Sequence, residues 1–335
     1  MIKWIARWFN HPAALATIAP VAMPSPVPAD GASVTPPDDT DTLFYRWLAG
    51  HCGGSGEAVQ PSTEKLIIDE LALLVEAPQS GADLVPRVPA VLPQLLRSLR
   101  DDSVAVAELS RQLSQDVVLV AEAIREANSP AYRPSKPVKT VEAAIMLLGQ
   151  NGMRMLIARV AFRPIIREQS GRFAAAIAPL VWRQSEMCAL AASMLAQTGD
   201  SATRANPFEA YLAGLLHHVG LIVALRLVDQ IHTGAAMPRS DQFCAALLPR
   251  ARLLSARIAA LWEFPVTVAM AIEQAGLPGQ ADCLALAQVL ALADRVAMLR
   301  MLVDAGELAA LDPRVLAGLG PSGAACFEKL RHEEH

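Results

Sequence analysis

Between Ala210 and Leu227 the chain reads AYLAGLLHHVGLIVALRL, an almost uninterrupted apolar stretch of helical character with two adjacent histidines in its middle. A helix that is apolar on every side is buried on every side, so the fold must wrap other elements around this one. It must also accommodate His217 and His218. Neighbours on a continuous helix point about 100° apart, so the two rings cannot chelate one ion from a single face; a helical metal pair needs a spacing of about three or four residues. From the residues alone, His217 is a hydrogen-bonded core histidine.

The rest of the chain supplies what such a helix needs. From Ser62 onward apolar residues recur at helical spacing, opening with Ser62 or Thr63 as a cap before Leu66, Ile67, Leu71 and Leu74. Further helices are predicted near 89–99, 103–112, 116–127, 140–148, 151–161, 172–198, 207–231, 241–261, 265–274, 282–303 and 312–330. Asn206, followed by Pro207 and Glu209, combines an N-cap, a proline in the first turn and a carboxylate at the positive end of the helix dipole. No segment alternates like a strand. The expected class is all-α.

Residues 1–40 read differently. MIKWIARWFN sets Trp4 and Trp8 with Ile2, Ile5 and Phe9 on one broad stripe and Lys3 and Arg7 on another, and a Pro-rich linker follows. Such a stripe can make weak, reversible contact with the inner face of a membrane, or fill a groove on a partner or on the domain itself. Only two cations support the membrane case, so docking is favoured. Residues 41–61 give a short docking helix with an aromatic face (Leu43, Phe44, Trp47, Leu48) and a Gly-rich loop.

Composition narrows the function classes. A hydrophobic content of 53% against 19% charged residues predicts a large aliphatic core. The net charge of -4 and pI near 6.0 argue against nucleic acid as a partner. The five cysteines form no CxxC pair, which speaks against disulfides and thiolate zinc and for a reducing cytoplasm. No unbroken uncharged run of about 18 residues suggests a span; the stretch 11–29 is interrupted by five prolines. His51 and Cys52 lack the arginine of a phosphatase loop, with Ala58 in its place, and GGSGE lacks the lysine of a phosphate-binding loop.

Five strings carry a family resemblance. GLLHHVG is similar to the GLLHDIG hallmark of bacterial HD-type helical domains. RQLSQDVVLVAEAIREANSPAYRP and VKTVEAAIMLLGQNGMRMLI resemble two helical blocks of the HDOD family, the HD-related output domains, and LWEFP resembles its W-x-L-P turn. LALADRVA resembles the helix that bears the superfamily's last aspartate. The likeness extends from about Val88 to Arg300. In these motifs Asn128, Ser129 and Pro130 read as a helix stop, Gly149 as a separator of two helices, Gly214 as a point of close helix approach, and Trp262 and Pro265 as the turn.

The resemblance implies a domain in two helical lobes, residues 62–170 and an HD-derived 171–335. Catalytic members hold a metal with a first histidine, a His-Asp pair and a late aspartate. Gln184 stands at the place of the first, His217 and His218 at the pair, and Glu273 and Gln274 near two later histidines, leaving His217 and Asp294 of the set. Such a remnant implies no hydrolysis, no cofactor and no bound metal. It implies instead a non-catalytic output module that binds other signalling proteins in the cytoplasm. Two alternatives stand beside it, a divergent HD-type phosphohydrolase and a helix-turn-helix regulator reading DNA with the helix from Asp116 to Ala127. A further set of cations, Arg154, Arg159 and Arg163, is a candidate interaction patch.

Overall fold

The computed structural model describes residues 39–52, 58–81, 83–87, 117–128, 134, 136–198, 205–275, 284–310, 312, 315 and 319–331. Trp4, Trp8, Ser129 and Pro130, and the expected helices near 89–99 and 103–112, lie outside them. Among the described residues the chain is all-α, with no strand. The helices are α1 (Asp39–Gly50), α2 (Pro61–Glu76), α3 (Val117–Ala127), α4 (Val141–Arg167), α5 (Phe173–Thr198), α6 (Pro207–Leu216), α7 (Val219–Ile231), α8 (Asp241–Leu261), α9 (Val266–Ala275), α10 (Ala285–Asp304) and α11 (Gly320–Leu330).

The long helix α5 is the axis of the packing. It lies against α6 and α10 most extensively and also touches α4, α7 and α11. Alanines on its sequence, among them Ala174, Ala178, Ala189 and Ala192, are wholly buried and let neighbours approach. Gly214 of α6 makes the closest approach: a Cβ there would sit 2.5 Å from the Ala189 Cα. The stretch from Pro207 to Ile231 is long and apolar enough to cross a membrane despite its charged Glu209, Arg226 and Asp229, yet 94% of its most apolar window is buried inside the protein. It is a core element, broken at His217 and His218 into α6 and α7.

Several local expectations need correction. The first turn of α2 begins at Pro61 with Gln60 at the N-cap and no side-chain cap, so neither Ser62 nor Thr63 caps it. Asn206 does cap α6, accepting from the Phe208 and Glu209 amides at 2.8 and 3.2 Å. Asn128 is more than a stop. Its side chain donates to the Ile124 carbonyl within α3 and joins the end of α3 to the segment before α4 by two bonds, donating to the Val138 carbonyl and accepting from the Val138 amide. Gly149, at φ 63° and ψ -173°, kinks α4 where two helices were predicted. Trp262 is buried and stacks on Phe162 at 6.0 Å, while Pro265 offers its carbonyl to the Val268 and Ala269 amides at the start of α9.

The core does not divide at residue 170. One hydrophobic cluster runs from Phe44 in α1 to Leu330 in α11, and α2 packs on α7 and α8 within it. A smaller cluster joins Ala123 and Ala127 of α3 to Ala144, Leu148, Met153 and Leu156 of α4. Helix α4 therefore serves both, its later residues Ile157, Phe162 and Ile166 facing the main core. The docking helix α1 is integral: Phe44, Tyr45 and Leu48 are buried, each contributing on the order of 2 kcal/mol of hydrophobic stabilisation.

Tight backbone contact at Gly214 predicts that Gly214→Ala lowers stability by about 2–3 kcal/mol in urea unfolding, because neither helix backbone can retreat without loosening others. Gly50→Ala, where the new methyl meets nothing within 4 Å, should leave the midpoint nearly unchanged. Equal effects of the two would show that the α5–α6 approach is not limiting.

Candidate functional site

The break between α6 and α7 is what makes a site. His218 has φ -108° and ψ 5°, outside the helical basin, and the helix restarts with Leu221 and Ile222 donating to the His218 carbonyl. Two backbone groups lose their helical partners there, the His217 carbonyl and the Gly220 amide. Ser255 of α8 takes both: its hydroxyl donates to the His217 carbonyl at 2.8 Å and accepts from the Gly220 amide at 2.8 Å. Gly220 has no room for a side chain, since a Cβ would fall 2.0 Å from the Ala251 carbonyl. The expectation that the two histidines diverge by a helical step fails for this reason. The backbone leaves the helix between them, and both rings turn to one carboxylate.

That carboxylate is Asp294 of α10, 3% exposed. His217 Nε2 lies 3.3 Å from its Oδ2 and His218 Nε2 2.9 Å from its Oδ1, with the two rings edge to face. Gln184 of α5 donates its Nε2 to Oδ1 at 3.0 Å, and Arg252 of α8 donates to Oδ2 at 3.1 Å. Arg252 also grips Asp41 of α1 with both terminal nitrogens, at 2.6 and 2.9 Å. Ser185, one residue on from Gln184, places its hydroxyl 3.3 Å from His218 Nδ1. The structure thus gathers Gln184, His217, His218 and Asp294, the four positions singled out in the sequence, and adds Arg252, Asp41, Ser185 and Ser255.

Burial and charge set the protonation states. Burial by itself raises the Asp294 carboxyl, but the two imidazoles beside it and their hydrogen bonds outweigh this and hold it well below the carboxylate range. Burial lowers His217, against the opposing pull of Asp294, so its neutral ring is favoured and its Nδ1 is left as a buried acceptor without a partner. Burial pushes Cys188, near Asp294, far above the ordinary thiol value, which marks it as an inert small hydrophobe.

His217, His218 and Asp294 bring one ligand atom each within 4.8 Å of one another. An ionised carboxylate offers about four lone-pair sites, however, and Asp294 has four nitrogen donors on them. A fixed guanidinium on the same carboxylate adds repulsion to any cation. As they stand these residues do not fit a metal. Glu273 and Gln274 do not join the cluster: Glu273 lies 3.6 Å from Arg257, and Gln274 caps α10 by accepting from the Leu284 amide.

The sequence profile of the HDOD domain matches residues 85–278, more than half of the chain. The chain belongs to the HDOD family. Among solved structures it is similar to an HDOD domain protein of unknown function from Geobacter sulfurreducens (23% identity, TM-score 0.56, covering 79% of this chain and 94% of that one). It is similar also to a protein from Shewanella amazonensis provisionally named a metal-dependent phosphohydrolase (17% identity, TM-score 0.56, 81% and 98%). A third, provisionally named a signal transduction protein, is from Marinobacter aquaeolei (19% identity, TM-score 0.51, 88% and 64%). At these identities the likeness speaks for the HDOD fold. No curated protein matches the chain.

The proposed cationic patch is only partly a surface. Arg154 is buried at 5% exposure with its guanidinium over the Phe208 ring, so it is a core residue and no partner contact. Arg159 lies 2.8 Å from Glu126 and 3.7 Å from Glu122, largely enclosed. Arg163 does face solvent. With Arg125, Arg167 and Arg183 it lines a groove of about 310 Å³ between α3, α4 and α5, floored by Trp182. Sequence spacing alone could not separate Arg154 from Arg163, because it does not say that Phe208 covers the first while the second opens on the groove.

The protonation states set a pH dependence. The unfolded chain binds a proton on His217 near 6.5 and on Asp294 near 3.8, and the folded chain binds each at lower pH. In both ranges the unfolded state carries more protons, so stability falls as pH falls. The urea midpoint is expected to be level above about pH 7, to decline below about 6.5, and to decline again below about 4. His217→Gln should remove the upper decline; a variant that keeps it unchanged would assign that phase to another histidine.

Proposed function

We propose that this HDOD protein is a non-catalytic signal-transduction output module that acts in the cytoplasm by binding other signalling proteins, without a cofactor. The observation that carries the reading is the state of Asp294. Its oxygens are occupied by His217, His218, Gln184 and Arg252, which leaves no position from which to activate a water for hydrolysis. The buried thiols offer no substitute nucleophile, since burial raises Cys188, Cys244 and Cys326. The name given to the Marinobacter aquaeolei neighbour is in keeping with this reading.

Partner contact has a natural place in the groove of α3, α4 and α5. Five arginines and two glutamates line it, so an acidic protein surface is complementary. The DNA-reading alternative is less well supported. Val120 and Ile124 of α3 pack into the small cluster, and Arg125 is paired with Glu122, so this helix has few groups for base edges. The N-terminal stripe with Trp4 and Trp8 is read as a second docking element, for a partner, for the domain or weakly for the inner face of a membrane.

The hydrolase alternative is tested directly. Full-length protein with manganese, iron or magnesium is expected to turn over neither cyclic dinucleotides nor nucleotide phosphates; turnover abolished by His217→Ala would replace the binding reading. Affinity capture from native cytoplasm should recover a signalling protein whose retention drops about tenfold with Arg163→Glu and Arg183→Glu together. A shift of one particular DNA duplex at physiological salt that weakens as salt is raised and that Arg125→Ala abolishes would favour the helix-turn-helix reading instead.

A further inference from the structure

Asp294 and Asp41 are two carboxylates brought together in the interior, from α10 and α1. Asp294 is buried at 4% side-chain exposure and Asp41 is half-buried at 21%. Two carboxylates that meet the same side chain, one of them buried, call for a cation between them. Three side chains at the same spot, His217, His218 and Asp294, already have the type and proximity of a metal-binding set. Their N···O separations of 2.9 and 3.3 Å are those of adjacent ligands about an ion at roughly 2.1 Å. What lies against them is the guanidinium of Arg252, 16% exposed, bidentate on Asp41 and singly bonded to Asp294.

We propose that Arg252 is the resident cation of this site, a permanent internal guanidinium that does the charge balancing a divalent metal would do, and that Asp41 makes helix α1 its second anchor. The inference rests on the non-catalytic reading and specifies what holds the unreactive site together. Two features of the fold favour it. Arg252 and Ser255 stand one turn apart on α8, so the helix that holds open the break at His217 also delivers the cation. A planar fork can satisfy two carboxylates on different helices at once, which a lysine ammonium does with poor geometry. The guanidinium is also beyond deprotonation, since flanking carboxylates raise it further despite the cost of burial. A site closed by Arg252 is therefore indifferent to metal supply.

The test is metal binding by the full chain, read by elemental analysis and calorimetry with manganese and zinc alone. Wild-type protein is expected to hold no stoichiometric metal, and a chelator should leave its Tm unchanged. Arg252→Met keeps the volume and removes the charge, leaving two carboxylates and two imidazoles to recruit an ion. This variant should bind about one divalent ion per chain, with a Tm that rises on metal addition and falls with chelator. A folded Arg252→Met that binds no metal overturns the proposal, as does a wild-type ion that His217→Ala releases. If Arg252→Met does not fold with or without metal, Arg252→Lys and Asp41→Asn decide. Their Tm losses should fail to add in the double variant, and additive losses would sink the bridging role. Turnover by metal-free wild-type protein would refute the functional reading while leaving this one intact, so the two failures are distinguishable.

Discussion

A single carboxylate organises this molecule. Asp294 is buried, ionised and held by four nitrogen donors that come from α5, from the break between α6 and α7, and from α8. A buried charge is tolerated only where its hydrogen bonds and counter-charge are all in place. Each of these elements must therefore reach its position together with the others, and α1 is drawn in through Asp41. Nothing about such a knot makes it a source of net stability, since an apolar cluster of equal volume would serve as well or better. What it supplies is register: α10 cannot slide or rotate against α5 without stranding a charge.

The second constraint is the helix break that puts two histidines on one side. A continuous helix from Pro207 to Ile231 would have been the simplest way to bury so apolar a sequence. Breaking it exposes the His217 carbonyl and the Gly220 amide, and both are rescued by one serine hydroxyl on a neighbouring helix. The absence of a Cβ at Gly220 brings α8 near enough to do this. The break thus turns both imidazoles onto one carboxylate, and the four side chains around Asp294 hold each other.

The arginine-lined groove of α3, α4 and α5 is where the proposed partner contact would fall. Polarity that remains at the surface is concentrated where the small cluster of α3 and α4 meets α5, and there arginines outnumber carboxylates along a groove. The ion pairs of Arg159 with Glu122 and Glu126 fix the wall of that groove, and Arg163, 3.8 Å from Glu122, is its more exposed charge. Arginines outnumbering carboxylates along a groove give it a net positive lining, complementary to an acidic surface.

Much of the fold was legible in the sequence. Apolar spacing gave the all-α class and most helices, and Asn206 with Pro207 marked the start of α6 to the residue, because caps and periodicity are written in neighbouring residues. The motif order identified the family, and through it the four residues that converge on the site. Three things were not legible. That the central helix breaks at His218 depends on Ser255, distant in the chain, offering a hydroxyl to the freed groups; the only local sign is Gly220. That Arg154 is core while Arg163 is surface depends on which helices cover which face of α4. That Asp41 and Arg252 belong to the site depends on α1 lying across α8 and α10. Sequence determines what is local, since propensity and pattern act between near neighbours. Which distant groups satisfy a buried charge is decided by packing, where the demand that every buried polar group find a partner is met only in the folded whole.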